Sequence, residues 1–527
     1  MTTRLARDRR LDRAFNPMLI RAIVAIAGCF LLANLAAQSM RVPWGSYGHD
    51  PQHSAISAAA SQSLGQILWQ TQLDLQPQYD WNDLHIHYSS PVITRANTII
   101  LPVKTGAGDG FRVEARNARS GALIWTQTTD YTLPSHNWIP SFPLGLTPRN
   151  RLIFAGAGGT LYYRHNPDSS SSSGTGQIAF YGLANYNADA ATYQASVQIN
   201  TPITVDRYGD IFFGFYVSGT TPLNLQSGVA RISHDGTGSW VSAAALANDN
   251  SITKVVHNCA PALSNDHKVG YVVVSDAQPL SGIHYGAGYL VSFDSRTLAP
   301  IARVRLKDAN NPGNDSALFD DGSASPTVGP DGDVFYGVLE SPFYSNHLRG
   351  WLLHFNSGLT ESKIPGAFGW DDTASVVPVS MVPSYHGNSP YLVMTKYNNY
   401  AEAGGDGVNR LAILDPRDQM TDPISGAQVM KEILTIAGPT PDEDFVADHP
   451  NAVREWCINT GVIDPATRSV LVNNEDGKMY RWHLGSNSLT ETITLTPGIG
   501  EAYTPTLVGP DGTVFAINNA TLFGLGQ

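Results

Sequence analysis

Imidazoles, carboxylates and aromatics recur in this chain a few residues ahead of each copy of a short apolar repeat. In order they are His85, His87 and Tyr88; His136 and Trp138; Asn200; His257, Asn258 and Cys259; Asp320 and Asp321; Asp371 and Asp372; Arg454, Glu455, Trp456 and Cys457; and Glu501 and Tyr503. Imidazole serves near neutrality as a base or a metal ligand, and carboxylates hold hard cations. If the repeats converge on one axis, these groups line one mouth and offer a site to a polar ligand. His85 and His87 are two apart, so on a strand they share a face and could grip one metal, although two ligands fall short of a complete set. His136 or His257 as base, with Arg454 neutralising a carboxylate, is the pair a lyase acting on an acidic sugar would need. Without such a reaction, the same groups would bind a glycan, a peptide or a protein partner.

The repeat dictates how these residues are held. Pro326-Thr327-Val328-Gly329-Pro330-Asp331-Gly332-Asp333-Val334-Phe335 returns as Pro505-Thr506-Leu507-Val508-Gly509-Pro510-Asp511-Gly512-Thr513-Val514-Phe515. Looser copies stand at Ser90-Pro91-Val92-Ile93, near Pro143, at Thr201–Val205, at Ala260–Leu263, near Ser380 and near Asn459. Proline presets the turn, aspartate caps it and glycine accepts a positive φ, so each copy is a strand, a tight turn and a second strand. A second phrase follows, best seen as Val113-Glu114-Ala115-Arg116-Asn117-Ala118-Arg119-Ser120-Gly121-Ala122-Leu123-Ile124-Trp125. It adds a hairpin with an outer aromatic. Repeats of this kind predict an all-β fold, a single closed β-propeller of eight four-stranded blades, with seven as the alternative. Gln66–Leu73 has no blade of its own, and pairing it with the C-terminal Thr521–Leu525 would close the ring and remove the free edges.

The combination of Pro-x-Val, turn, strand and Ala-x-Asn-x-x-x-Gly-x-x-x-Trp resembles the repeat of pyrroloquinoline-quinone-type (PQQ-like) propellers, the superfamily of quinoprotein alcohol dehydrogenases and of the assembly lipoprotein BamB. Trp44-Gly45-Ser46-Tyr47-Gly48-His49-Asp50 is similar to the opening segment of such proteins. The resemblance implies the fold over residues 40–527. The dehydrogenases stack their quinone on an adjacent Cys-Cys disulfide with calcium beside it. This chain has three cysteines, Cys29, Cys259 and Cys457, none adjacent to another, so the quinone does not carry over with the fold. No cofactor is expected, with calcium or another metal left open. The oxygen-rich run Asp308–Asp315 departs from a calcium loop at Pro312 and is taken as a turn.

Arg4, Arg7, Arg9, Arg10, Arg13 and Arg21 precede the apolar run Ala22–Ala37, followed by small residues. Residues 1–39 are therefore expected to be a signal peptide or N-terminal anchor, making the chain exported, periplasmic or secreted. Cys29 in Ile26-Ala27-Gly28-Cys29 offers a lipid attachment point as the alternative membrane link. A net charge of −12 with no basic run repels phosphate backbones, so nucleic acid is excluded as a partner. No phosphate-binding loop, dinucleotide fingerprint, nucleophile elbow or His-Glu-x-x-His motif occurs.

Overall fold

The computed structural model describes residues 42–527 apart from 81, 82, 85–89, 135–141, 172, 173, 278–284, 320, 321, 323, 501 and 503. Residues 1–39, the expected signal peptide or anchor, and Cys29 thus lie outside the described residues, as do His85, His87, Tyr88, His136, Trp138, Asp320, Asp321, Glu501 and Tyr503.

Eight antiparallel sheets follow one another as blades. Blade 1 is built from Val92–Ile93, Thr98–Lys104, Phe111–Asn117 and Leu123–Thr129, inner strand first. Blades 2 to 7 cover 144–179, 197–242, 254–305, 327–355, 375–437 and 462–494. In blade 8, Gln66–Gln72 pairs with Thr521–Gly526 from Gln66↔Gly526 to Gln72↔Thr521, so the N-terminal strand completes the sheet of the C-terminal ones. The expected closure is thereby shown. Blade 5 departs from the four-stranded expectation. It has three strands, and only the bridges Phe355↔Ser362 and Leu352↔Gly366 mark a fourth position, because Pro365 carries no N–H to extend the ladder.

Both Pro-Asp-Gly copies form the expected turns. Gly332 and Gly512 have φ of 89° and 85°, and their N–H groups bond Gly329 O and Gly509 O. The turn aspartates also join blades: Asp331 Oδ1 accepts from Tyr391 OH of blade 6 at 2.8 Å, and Asp511 Oδ2 accepts from Asn97 Nδ2 of blade 1 at 2.8 Å. The outer aromatics do the same on the rim. Trp69 Nε1 donates to Ala118 O of blade 1 at 2.8 Å, and Trp125 Nε1 donates to Pro167 O of blade 2 at 2.7 Å. The Trp69 ring lies where a Cβ on Gly121 would stand 2.6 Å away, so the glycine of the second phrase is the seat of the neighbour's tryptophan.

Residues 44–62 run across one end of the channel and bond the lower ends of the inner strands in turn. Trp44 pairs with Ile93; the carbonyls of Gly45, Pro51, Gln52, Ser54 and Ala55 accept from the N–H groups of Leu146, Leu263, Val328, Val376 and Ile463. Gln62 N reaches Gly512 O in blade 8. Tyr47 stands up from this segment into the channel, 5 % exposed, with its hydroxyl bonded to Thr373 Oγ1 at 2.7 Å and to Asn459 Oδ1. The segment satisfies edge donors that would otherwise open on the axis, and it seals this mouth.

Candidate functional site

Just above Tyr47 the inner strands are tied by a girdle. Asn258 N donates to Asn200 O, Ala260 N to Ser325 Oγ, Ser325 N to Thr373 Oγ1, and Thr373 N to Asn459 O, each at 2.9 Å. Asn200 Nδ2 lies 2.9 Å from Val255 O and 2.9 Å from His257 Nδ1. Asn200, His257 and Asn258 are therefore buried inside the girdle and do not line the open mouth as the repeat spacing suggests. The reason is local. Blades 3 and 4 extend their inner edge with Val197–Ile199 and Lys254–Val255, which pair ahead of the repeat and push these residues down the channel. Trp456 is also fully buried, packed on Tyr480 with ring centroids 5.5 Å apart, in the apolar interface of blades 6 and 7.

Glu455 and Cys457 of blade 7 meet Glu475 at one corner. Donor atoms of Glu455, Cys457 and Glu475 all lie within 4.8 Å of one another. The Cys457 thiol donates to Glu475 Oε2 at 3.4 Å and faces Glu455 Oε2 at 3.8 Å, while Glu455 N bonds Glu475 Oε1 at 3.1 Å. Burial pushes the Glu475 carboxyl up from its ordinary range, against the opposing effect of these hydrogen bonds and of Arg454. Two carboxylates and a thiol form a donor set that a divalent cation of borderline softness can use. Asp372 is buried in blade 6, where its carboxylate accepts from Thr395 Oγ1. Burial raises its pKa to about 7, although the Lys396 charge and the Thr395 hydroxyl pull the other way. Arg454 is clamped by Asp442 at 3.0 Å and Asp444 at 2.9 Å. His257 sits on blade 4 and Arg454 on blade 7, so the proposed base and carboxylate-binding partner belong to blades three apart.

A line of aromatics leads to this corner from the rim. Phe343 meets Tyr285 at 4.4 Å between centroids, Tyr285 meets Phe319 at 6.4 Å, Phe319 meets Trp370 at 5.8 Å, and Trp370 meets Tyr400 at 5.7 Å. Tyr285 is 54 % exposed, Trp370 half-buried and Tyr400 buried, so the ladder descends from solvent to core. Burial, and after it the charge of Glu455, raises the Tyr400 phenol well above its usual pKa, which puts the foot of the ladder against the carboxyl corner. A groove of about 440 Å³ is lined by Tyr285, Asp315, Glu340 and Phe343. It shares Ala317 with a narrower cleft lined by Phe319, Tyr336, Trp370 and Asp371. Trp370 Nε1 is buried there without a hydrogen-bond partner among the described residues. The aromatics were missed from sequence, yet a signal exists: Phe319-Asp320-Asp321 and Trp370-Asp371-Asp372 repeat one aromatic-Asp-Asp phrase in adjacent blades.

Asp308 is buried and spoken for. It accepts from Asn310 N, Asn311 N, Ser341 N and Trp351 Nε1, so it anchors a turn. Cys259 and Cys457, on blades 4 and 7, are not disulfide-bonded. Burial pushes Cys259 up to about 12, which leaves it an inert thiol. Neither cysteine supplies the adjacent pair on which a quinone would stack, so these residues do not fit that cofactor.

No family model and no curated protein matches the chain. Among solved structures it is similar to the quinohemoprotein alcohol dehydrogenase ADHIIG of Pseudomonas putida HK5, at 10 % identity and a TM-score of 0.52, covering 94 % of this chain and 77 % of that one. It is likewise similar to the quinohemoprotein alcohol dehydrogenase of Comamonas testosteroni, at 10 % identity and a TM-score of 0.52, covering 92 % and 81 %. At such identity the likeness concerns the fold. The chain is a β-propeller of eight blades, closed by its N- and C-terminal strands, with the fold that the quinohemoprotein alcohol dehydrogenases share.

Proposed function

We propose that this is an exported binding protein that takes a neutral or amino-bearing glycan into its open mouth, without turnover. The aromatic ladder from Tyr285 to Tyr400, with Glu455 acting on its foot and Glu475 held against Glu455 and Cys457, carries this reading. Aromatic faces pack on the C–H faces of sugar rings, and buried carboxyls and amides take the hydroxyls. Carboxylates at the foot of the groove repel an acidic sugar, which disfavours a lyase acting on uronates, and Arg454 is already paired with Asp442 and Asp444. A divalent cation at Glu455, Cys457 and Glu475 is compatible with the same reading as a bridge to sugar hydroxyls.

Affinity electrophoresis in gels containing dextran, xylan, glycol chitosan or alginate tests it. The chain is expected to be retarded by at least one of the first three, and any retention by alginate should be unaffected by changes in the aromatic ladder. Trp370→Ala should weaken that retention about tenfold, the loss of roughly 1.4 kcal/mol of stacking. Leu123→Ala, on the exposed outer strand of blade 1, should leave it unchanged. Free migration in all four gels, or equal retention of Trp370→Ala, would overturn the proposal.

A further inference from the structure

A second site stands on the sealed face, between blades 2 and 3. There a groove of about 150 Å³ is lined by Arg149, Arg151, His165, Tyr208 and His234, with Thr147, Pro148 and Gly209. No carboxylate lines it, in a chain where Asp and Glu outnumber Lys and Arg by 45 to 33. The lining is built on turns with fixed geometry. Thr147 N bonds Arg151 O at 2.9 Å and Asn150 N bonds Thr147 O at 2.8 Å, which holds both arginines on one tight turn of blade 2. Tyr208 and Gly209 sit on the equivalent turn of blade 3, closed by Gly209 N to Asp206 O at 3.1 Å. Asp210 fixes the His234 ring at 3.1 Å and takes Arg231 as its own partner.

Among the described residues neither Arg149 nor Arg151 has a salt-bridge partner. Arg151 is half-buried, with its guanidinium 5.4 Å from the Tyr163 ring centre. Burial and the like charge of Arg149 both work against its proton, with Tyr163 opposing them. A partly buried cation facing another cation gains most from an anion placed between them, and guanidinium forks match planar and tetrahedral oxyanions bidentately. The exposed Tyr208 adds a flat wall for the body that carries the anion.

We infer that this groove is a recognition site for a compact oxyanion, a carboxylate, sulfate or phosphate group presented by a small ligand. It is independent of the aromatic ladder, which lies on the opposite mouth.

The test is titration of the full chain with inorganic phosphate, sulfate and glucuronate, followed by calorimetry and by NMR of Arg side-chain resonances. At least one anion should saturate, more weakly as salt rises. Arg149→Ala/Arg151→Ala should lose at least about tenfold in affinity, and Arg149→Lys/Arg151→Lys should fall between, because charge survives while the fork is lost. Saturation by glucuronate alone assigns a carboxylate ligand; saturation by phosphate or sulfate assigns a tetrahedral one. Trp370→Ala should bind the anion as wild type does, which separates this site from the glycan groove. No saturation by any of the three, or equal binding by the double alanine variant with unchanged thermal unfolding, would overturn the inference.

Discussion

A chain lacking residues 42–72 is expected not to fold into a stable monomeric propeller. Those residues supply two things at once. Gln66–Gln72 is the outer strand of blade 8, and its loss exposes the edge of Thr521–Gly526. Residues 44–62 hold the lower ends of the inner strands of blades 1, 2, 4, 5, 6 and 7 through main-chain bonds. Single changes should grade the effect. Tyr47→Ala opens a cavity on the axis and removes the hydroxyl that donates to Asn459 Oδ1 and pairs with Thr373 Oγ1, for a cost of about 3–5 kcal/mol. Tyr47→Phe keeps the ring and loses only the hydroxyl bonds, about 1–2 kcal/mol. Thermal unfolding by circular dichroism, with size-exclusion chromatography, measures both. A truncated chain that stays monomeric and melts cooperatively at the full-length temperature would show that the segment is an appendage.

The second large effect runs in the opposite direction. Asp372→Asn with Glu475→Gln should make the protein more stable than wild type above about pH 7. Burial raises both carboxyls, Asp372 to about 7, so in the folded chain each keeps its proton to higher pH than in the unfolded chain. Between about pH 4 and 7 the folded state then binds more protons, and wild-type stability falls as pH rises through that window. Neutral amides have nothing to ionise. The variant should match wild type near pH 4 and exceed it near pH 8 by on the order of 2–4 kcal/mol per group. Urea denaturation at the two pH values reads the difference, and a variant less stable than wild type at both would contradict it. Asp422 provides the contrast. It is just as inaccessible, but Arg349 binds it through two nitrogens at 3.1 Å and holds its pKa below the ordinary range despite burial. Asp422 is a carboxylate kept for structure. Asp372 and Glu475 are buried carboxyls whose ionisation costs stability, as that of site residues does.

The contrast between fold and site also explains what the sequence could disclose. Turns such as Gly329–Asp333 and Gly509–Thr513 announce themselves because Pro, Asp and Gly act within four residues, and eight strand-turn-strand copies leave few architectures open. Ring closure was legible for the same reason: Gln66–Leu73 alternates like a strand with no local partner. The site is a different matter, since it depends on how far each inner strand runs. Two extra paired residues in blade 4, Lys254 and Val255, were enough to bury His257, and no local pattern marks them. The repeat spacing brought out Asp372 and Glu455, whereas Glu475 escaped because it lies in the turn after the second strand and meets Glu455 only after the hairpin closes. The ladder of Tyr285, Phe319, Trp370 and Tyr400 spans three blades and exists only in the assembled ring.

Calorimetric titration of dextran and glycol chitosan oligosaccharides into wild type and into Asp372→Asn/Glu475→Gln tests the central claim most directly. Saturable binding by wild type, with affinity reduced at least about tenfold in the more stable variant, is the predicted result. No saturable heat with either oligosaccharide, or equal affinities in the two proteins, would contradict the claim that these buried carboxyls serve a ligand.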